Sequence, residues 1–328
     1  MDVTHRETAL KGKYLIGIDL GGTSIKAGIL TEDFEILRKT RLEIDALAGA
    51  EKIVSQISAA CWGLMTEAGV SPENVAGIGI GSPGLIDTDT GTVLFSNNFD
   101  WENVLLADMV RRETGIPVQV ANDANCAVLG ESVRGSAQNM RDVVLLTLGT
   151  GVGSGILSRG RLLNGTGAGG IAGHMTIVEN GKSCTCGKRG CLEAYASATA
   201  LIECYREKCG EYGVSVPDEV TGKDVLSAVR AGSPPALAAF RDWAEALSTG
   251  IATLIDLLRP ETVLLGGGLS NAGKLLTKEV NARLPEKCYA GKFLKPCEVR
   301  IAALKNDAGI YGAAALIHLS LSEEVRRT

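Results

Sequence analysis

Several stretches of this chain carry residues whose types and spacing could do chemistry. In Val120-Ala121-Asn122-Asp123-Ala124-Asn125 a carboxylate stands between two carboxamides, where an apolar β-branched run gives way to an Ala/Leu-rich one. A carboxylate at the end of such a strand sits where α/β proteins place ligand chemistry. The alternative is that Asp123 or Asn125 only caps the helix that follows. The glycine stretches on either side weigh toward chemistry. In Asp19-Leu20-Gly21-Gly22-Thr23 the consecutive glycines let backbone N–H groups approach an anion closely. Thr23 adds a hydroxyl there, and Asp19 suits a hydrated metal ion. An ordinary glycine hairpin would use the same letters. The pattern returns at Leu148-Gly149-Thr150-Gly151-Val152-Gly153, so the two together look like a duplicated phosphate cradle.

His174, Cys184, Cys186 and Cys191 fall within eighteen residues, interleaved with Gly181, Gly187 and Gly190. Four soft or borderline ligands at loop spacing suit tetrahedral zinc, and a set with no open position is structural. Free surface cysteines beside a chance histidine are the plain alternative. Pro83-Gly84 marks a tight turn whose backbone could line a pocket. Asn97-Asn98-Phe99-Asp100-Trp101 offers amides beside an aromatic, which suits a sugar; a loop packed by Trp101 explains it equally well. Gly266-Gly267-Gly268 follows a strand and turns into a helix, a seat for the adenosine end of a nucleotide.

The elements that must position these groups follow from periodicity. Tyr14 to Asp19 and Ile25 to Leu30 read as the arms of a hairpin, Val75 to Ile80 and Ile116 to Val120 as strands. Ala50 to Ala68 has helical spacing, as does Cys126 to Glu131. Helices dominate from Glu193 to about Leu258, broken near Val216-Pro217 and again at Ser233-Pro234-Pro235. Thr262 to Gly266 is a further strand. The last helix, Ala308 to His318, carries a Gly312 to Ala315 face that permits close packing. Residues 1–12 read as a mobile tail.

Composition sets the class. A chain of 328 residues suggests about two domains, and 45% hydrophobic residues with 4% aromatics and 41 glycines describe an aliphatic-cored α/β protein. A net charge of −5 with no basic patch argues against a nucleic-acid surface. No apolar run approaches a membrane span, no signal-peptide core is present, and the chain reads as cytosolic. The remaining cysteines have no ligand spacing and read as reduced thiols.

Taken together, Asp19-Leu-Gly-Gly-Thr23, Gly81-Ser-Pro-Gly84, Asn122-Asp123, Leu148-Gly-Thr-Gly151, the His/Cys loop, Glu193 and Gly266-Gly-Gly268 resemble, in order and approximate spacing, the motifs of the ROK family. That family holds repressors and sugar kinases, and the resemblance is strongest to its bacterial glucokinase-type members, over roughly Lys13 to Leu319. It implies a two-lobed actin-like ATPase (ribonuclease H-like) α/β fold with an interlobe cleft, residues 13–122 with 306–328 forming a small lobe and 123–305 a large one. It implies ATP-dependent phosphorylation of a hexose 6-hydroxyl, glucose first, with Asp123 as the general base. Asn122, Asn98 (or Asn97), Gly84, His174 and Glu193 would hold the sugar. Gly21, Gly22, Thr23, Lys26, Thr150 and Gly151 would cradle the phosphates, with Mg²⁺ near Asp19, and Gly267 and Gly268 would flank adenosine. Structural zinc at His174, Cys184, Cys186 and Cys191 would stiffen one wall of the sugar site. A homodimer or homotetramer is implied as well.

One position departs from the pattern. The family's sugar kinases carry Glu-x-Gly-His ending at the zinc histidine, and this chain has Ile171-Ala172-Gly173-His174. The missing carboxylate would meet hydroxyls near C1 and C2 of the sugar. N-acetylhexosamines, mannose or fructose therefore stand behind glucose as candidates. A catalytically silent sugar-binding regulator is a further class, while the dozen residues before the first strand read against a repressor's helix-turn-helix.

Overall fold

A computed structural model describes residues 13–165, 169–289 and 291–327. Residues 1–12, read above as a tail, lie outside these. The chain divides into two compact units. One comprises the chain up to Gln138, Asn164–Gly169 and the segment from Asn306; the other is Asn139–Leu163 with Gly170–Lys305.

The first unit opens with β1 (Tyr14–Leu20), β2 (Ser24–Thr31), β3 (Ile36–Glu43), α1 (Ala50–Ala68) and β4 (Val75–Ser82). It continues through β5 (Leu85–Asp87), β6 (Thr92–Ser96), β7 (Trp101–Val104), α2 (Leu106–Thr114), β8 (Val118–Asn122) and α3 (Asp123–Arg134). Its main sheet has the order β3-β2-β1-β4-β8, antiparallel from β3 to β1 and parallel from β1 to β8. Strand alternation splits β1 between two cores: Ile16, Ile18 and Leu20 join the buried face of α1, and Leu15 packs with the chain's last helix. Asp19 therefore shares a face with Leu15. The sheet β5-β6-β7 was not expected from the sequence, which reads that region as turn and loop. Its strands are three to five residues long, and Leu85 and Phe95 are exposed, so no clean alternation marks them.

The second unit repeats the plan. β9 (Val143–Leu148), β10 (Val152–Ser158) and β11 (Arg161–Leu162) precede α4 (Glu193–Ala196), α5 (Ala198–Glu211), α6 (Gly222–Arg230), α7 (Pro234–Leu258), β12 (Thr262–Gly266), α8 (Lys274–Lys287) and β13 (Glu298–Ile301). The sheet order β11-β10-β9-β12-β13 has the same antiparallel and parallel halves as the first. Two such five-stranded sheets are the duplicated ribonuclease H-like pattern of the actin-like ATPase fold. Pro234 and Pro235 occupy the first turn of α7, where a missing N–H is harmless, so the second break is a helix start. The triple glycine leads first into a 3-10 turn, Gly268–Ala272, and α8 begins only at Lys274.

The last helix, α9 (Ala308–Arg327), returns to the first unit. A Cβ on Gly79 would lie 1.7 Å from the Ala313 carbonyl oxygen, and one on Gly312 would lie 1.5 Å from that of Cys126. Backbone on backbone at this distance admits only glycine. The same packing corrects the expected boundary at residue 122: α3 lies against α9 and stays in the first unit, which runs to Gln138. Among the described residues no helix is long and apolar enough to cross a membrane.

Candidate active site

In the first unit the strand ends converge on Asp123. Asn122 is the N-cap of α3: its side-chain oxygen accepts from Ala124 N–H at 3.0 Å while its amide donates to the Gly84 carbonyl at 3.0 Å. Capping is thus Asn122's task, and Asp123 becomes the first helical residue. Asp123 Oδ1 accepts from Ala124 N–H at 2.9 Å. The residue keeps an open face to solvent while protein crowds its carboxylate on the other sides. That crowding pushes its carboxyl up to about 6, with the charge of Asp19 adding, against the opposing Ala124 and Asn122 hydrogen bonds. Water at the open face moderates the effect. Behind Asp123 the buried Cys126 thiol is pushed well above its ordinary range, by burial first and then by Asp123 and Asp19.

Asp19 closes β1 opposite Lys26 of β2, and their side chains pair at 2.8 Å. Gly21 N–H donates to the Ser24 carbonyl at 2.9 Å, which makes residues 21–23 a tight turn with Thr23 exposed. A Cβ on Gly22 would lie 3.3 Å from Asn98 Nδ2, so the turn between β6 and β7 reaches the first glycine turn. The packed-loop reading holds: Phe99 and Trp101 are buried and stacked, centroids 4.5 Å apart, while Asn98 is exposed. Asp19, Gly21, Gly22, Thr23, Lys26, Gly84, Asn98, Asn122 and Asp123 all belong to this unit.

In the second unit the glycine turn after β9 is held at three points. Ala198 N–H donates to the Gly149 carbonyl at 2.8 Å, Thr199 Oγ1 to the Thr150 carbonyl at 3.0 Å, and Val152 N–H to Glu193 Oε2 at 3.0 Å. A Cβ on Gly151 would lie 2.3 Å from that same Glu193 oxygen. Gly267 is pressed on the Leu148 backbone, so the triple glycine abuts this turn. Glu193 Oε1 meanwhile accepts from Thr185 Oγ1 at 3.0 Å, with Cys184 Sγ at 3.7 Å. Thr185, Ala198 and Thr199 were not foreseen, and only Thr185, inside Cys-Thr-Cys, stood where the sequence could have drawn notice.

His174, Cys184, Cys186 and Cys191 come together with their ligand atoms all within 4.8 Å of one another. Tetrahedral zinc with Zn–S of about 2.3 Å and Zn–N of about 2.0–2.1 Å separates its ligands by roughly 3.6–3.8 Å. Here Cys186 Sγ and Cys191 Sγ are 3.6 Å apart, and Cys184 Sγ and His174 Nδ1 are 3.5 Å apart. The donor set fits that ion. With Nδ1 turned to Cys184, His174 Nε2 has no hydrogen-bond partner among the described residues. Ile171, at the head of the short 3-10 turn carrying His174, is 50% exposed. Ser154 fixes the backbone on both sides of it, its hydroxyl donating to the Gly170 carbonyl at 2.6 Å and accepting from Ala172 N–H at 2.7 Å.

Known proteins share this fold. The sequence profile of the ROK family matches residues 15–319. A glucokinase from Thermotoga maritima is 39% identical over 312 residues, covering 92% of this chain and 96% of the relative. The crystal structure of a ROK family glucokinase from Streptomyces griseus, in complex with glucose and AMPPNP, matches with a TM-score of 0.78 at 36% identity, covering 92% of this chain and 98% of that one. A ROK hexokinase from Thermus thermophilus matches with a TM-score of 0.82 at 30% identity, over 94% of this chain and 99% of its own.

Proposed function

The chain belongs to the ROK family, and from that premise we propose that the protein is a sugar kinase that transfers the γ-phosphoryl group of ATP to the 6-hydroxyl of a hexose, glucose first. The observation that carries the proposal is the setting of Asp123. Its carboxylate stands at the start of α3 on a residue open to solvent, is displaced toward neutral pH, and lies beside the Asn122–Gly84 contact. A general base works best when its pKa is near the operating pH. Asp123 therefore accepts the 6-hydroxyl proton as that oxygen attacks phosphorus. Phosphoryl transfer otherwise depends on positioning and charge neutralisation.

Asn122, Asn98 and the Gly84 backbone are assigned to the sugar hydroxyls, as are His174 Nε2 and Glu193. The turns at Gly21–Thr23 and Thr150–Gly151 cradle the phosphates with Lys26, and Gly267 and Gly268 flank adenosine. Mg²⁺ would be held at Asp19, whose carboxylate is partly exposed and shares one oxygen with Lys26. A bound Mg²⁺ supplies charge neutralisation to the phosphates. Zinc at the His174/Cys set would hold the loop from His174 to Cys191 in shape. The cytosol is the expected compartment, and a homodimer or homotetramer is the expected assembly, which sedimentation velocity measures.

A second preference rests on Ile171. Its exposed apolar side chain stands where the family's carboxylate would take sugar hydroxyls, which makes a 2-substituted sugar such as an N-acetylhexosamine the next candidate behind glucose. Coupled ADP release over a panel of hexoses tests both readings. Turnover with any of them identifies the kinase and its ranking; binding without ADP release makes the protein a silent sugar binder.

A further inference from the structure

Glu193 is bonded on both sides to groups with other tasks. Its Oε2 accepts the Val152 N–H that ends the second glycine turn, and its Oε1 accepts the Thr185 hydroxyl from between two of the clustered cysteines. The carboxylate thus joins the cysteine loop to the turn at Gly149–Gly151, across 41 residues on one side and eight on the other. The turn is closed by the β9–β10 ladder and by the Gly149 N–H to Gly151 carbonyl bond at 3.0 Å, with Gly267 against the Leu148 backbone; its side-chain clamps, Glu193 and Thr199, both come from the segment that follows the cysteine loop. A carboxylate has about four acceptor positions, so these bonds leave room for a ligand hydroxyl while fixing where the free lone pairs point.

The Cys184 thiol also stands within 3.7 Å of Glu193 Oε1. A cysteine that ligates a cation does so as thiolate and has no proton to give. With the metal bound, Thr185 is the hydroxyl that keeps Oε1 in place. Without the metal, the loop that carries Thr185 keeps its backbone bonds, Cys184 N–H to Lys188 and Gly190 N–H to Lys182, but loses the link that joins His174 to the three cysteines.

We propose that Thr185 is a positioning residue that ties Glu193, and through it the second glycine turn, to the His174/Cys loop, so that occupancy of the metal site sets the affinity for a nucleoside triphosphate. The inference rests on reading Gly149–Gly151 as a phosphate-binding turn. It differs from a purely local role for the metal, which would stiffen its own loop and leave nucleotide affinity untouched.

The test is calorimetric titration of the full chain with a non-hydrolysable ATP analogue and Mg²⁺, on wild type, Thr185→Val and Thr185→Ser. Each is loaded with Co²⁺, so that its tetrahedral absorption reports the site. Thr185→Val is expected to keep one metal and the wild-type spectrum while binding the analogue about tenfold more weakly, the scale of one lost hydrogen bond to a charged group. Thr185→Ser, which keeps the hydroxyl, should return to within about twofold of wild type, and chelator-stripped wild type should bind as weakly as Thr185→Val. Wild-type affinity in Thr185→Val overturns the proposal. So does loss of the cobalt spectrum in that variant, which would make the threonine a part of the metal loop's own fold, and so does failure of serine to restore binding. A wild type that binds no analogue refutes the phosphate reading itself.

Discussion

Asp123→Asn removes a proton acceptor and little else. An asparagine Oδ1 can take the Ala124 N–H bond now made to Asp123 at 2.9 Å, and Asn122 still caps α3 and still donates to Gly84. The start of the helix and the sugar-side amide are therefore retained, and hexose KM should stay within about threefold of wild type. General-base catalysis contributes roughly 10²–10⁴-fold, so turnover should fall by at least ~10²-fold. The pH profile sharpens the test. Burial, with Asp19 adding, raises the Asp123 carboxyl from 3.8 to about 6. The base acts only when ionised, so wild-type turnover rises with pH through that value, whereas an unperturbed carboxylate would give a flat profile there. One pH unit below the midpoint about a tenth of the base is ionised, so turnover at pH 5 should be roughly tenfold lower than at pH 7. The open face admits water that a bound hexose displaces. The limb should accordingly lie lower in kcat/KM, which reports the free enzyme, than in kcat. Initial rates of ADP formation, read by chromatography so that no coupling enzyme imposes its own pH dependence, measure both. A variant with near wild-type turnover, or a wild-type limb near pH 4, would refute the assignment.

Three further expectations follow from the geometry. Protein purified without chelator should carry one zinc per chain, and Cys184→Ser or Cys191→Ser should lose it and melt at lower temperature, because a closed site contributes folding energy to its loop; metal analysis that finds no zinc defeats this. Ile171→Glu should lower the KM for glucose by roughly tenfold or more, since a charge-assisted hydrogen bond is worth about 1.5–3 kcal/mol, and should leave the ATP KM nearly unchanged; an unaltered ranking of hexoses would mean that position 171 does not face the sugar. Gly312→Val, whose Cβ would start 1.5 Å from the Cys126 carbonyl oxygen, should destabilise the first unit by about 3 kcal/mol or more in denaturant unfolding, and a change below ~1 kcal/mol would contradict the α3–α9 packing described here.

Local chemistry made much of this protein legible from its letters. The strand and glycine-turn pairs at Asp19–Thr23 and Leu148–Gly151 follow from apolar runs broken by residues that only a tight turn tolerates. The His174/Cys set was legible because soft ligands at loop spacing have few other uses. Asp123 was legible as a candidate and no further, since Asp123 or Asn125 could as readily have been only the cap of the helix that follows. Packing decided that Asn122 is the cap, that Asp123 has a raised pKa, and that α3 stays with α9 in the first unit. It also decided that Glu193 meets both Val152 and Thr185, and that residues 85–104 form a small sheet. Periodicity and composition describe each segment's own preferences, whereas a carboxylate's partners 41 residues away, or the water excluded from around it, exist only once distant segments are brought together.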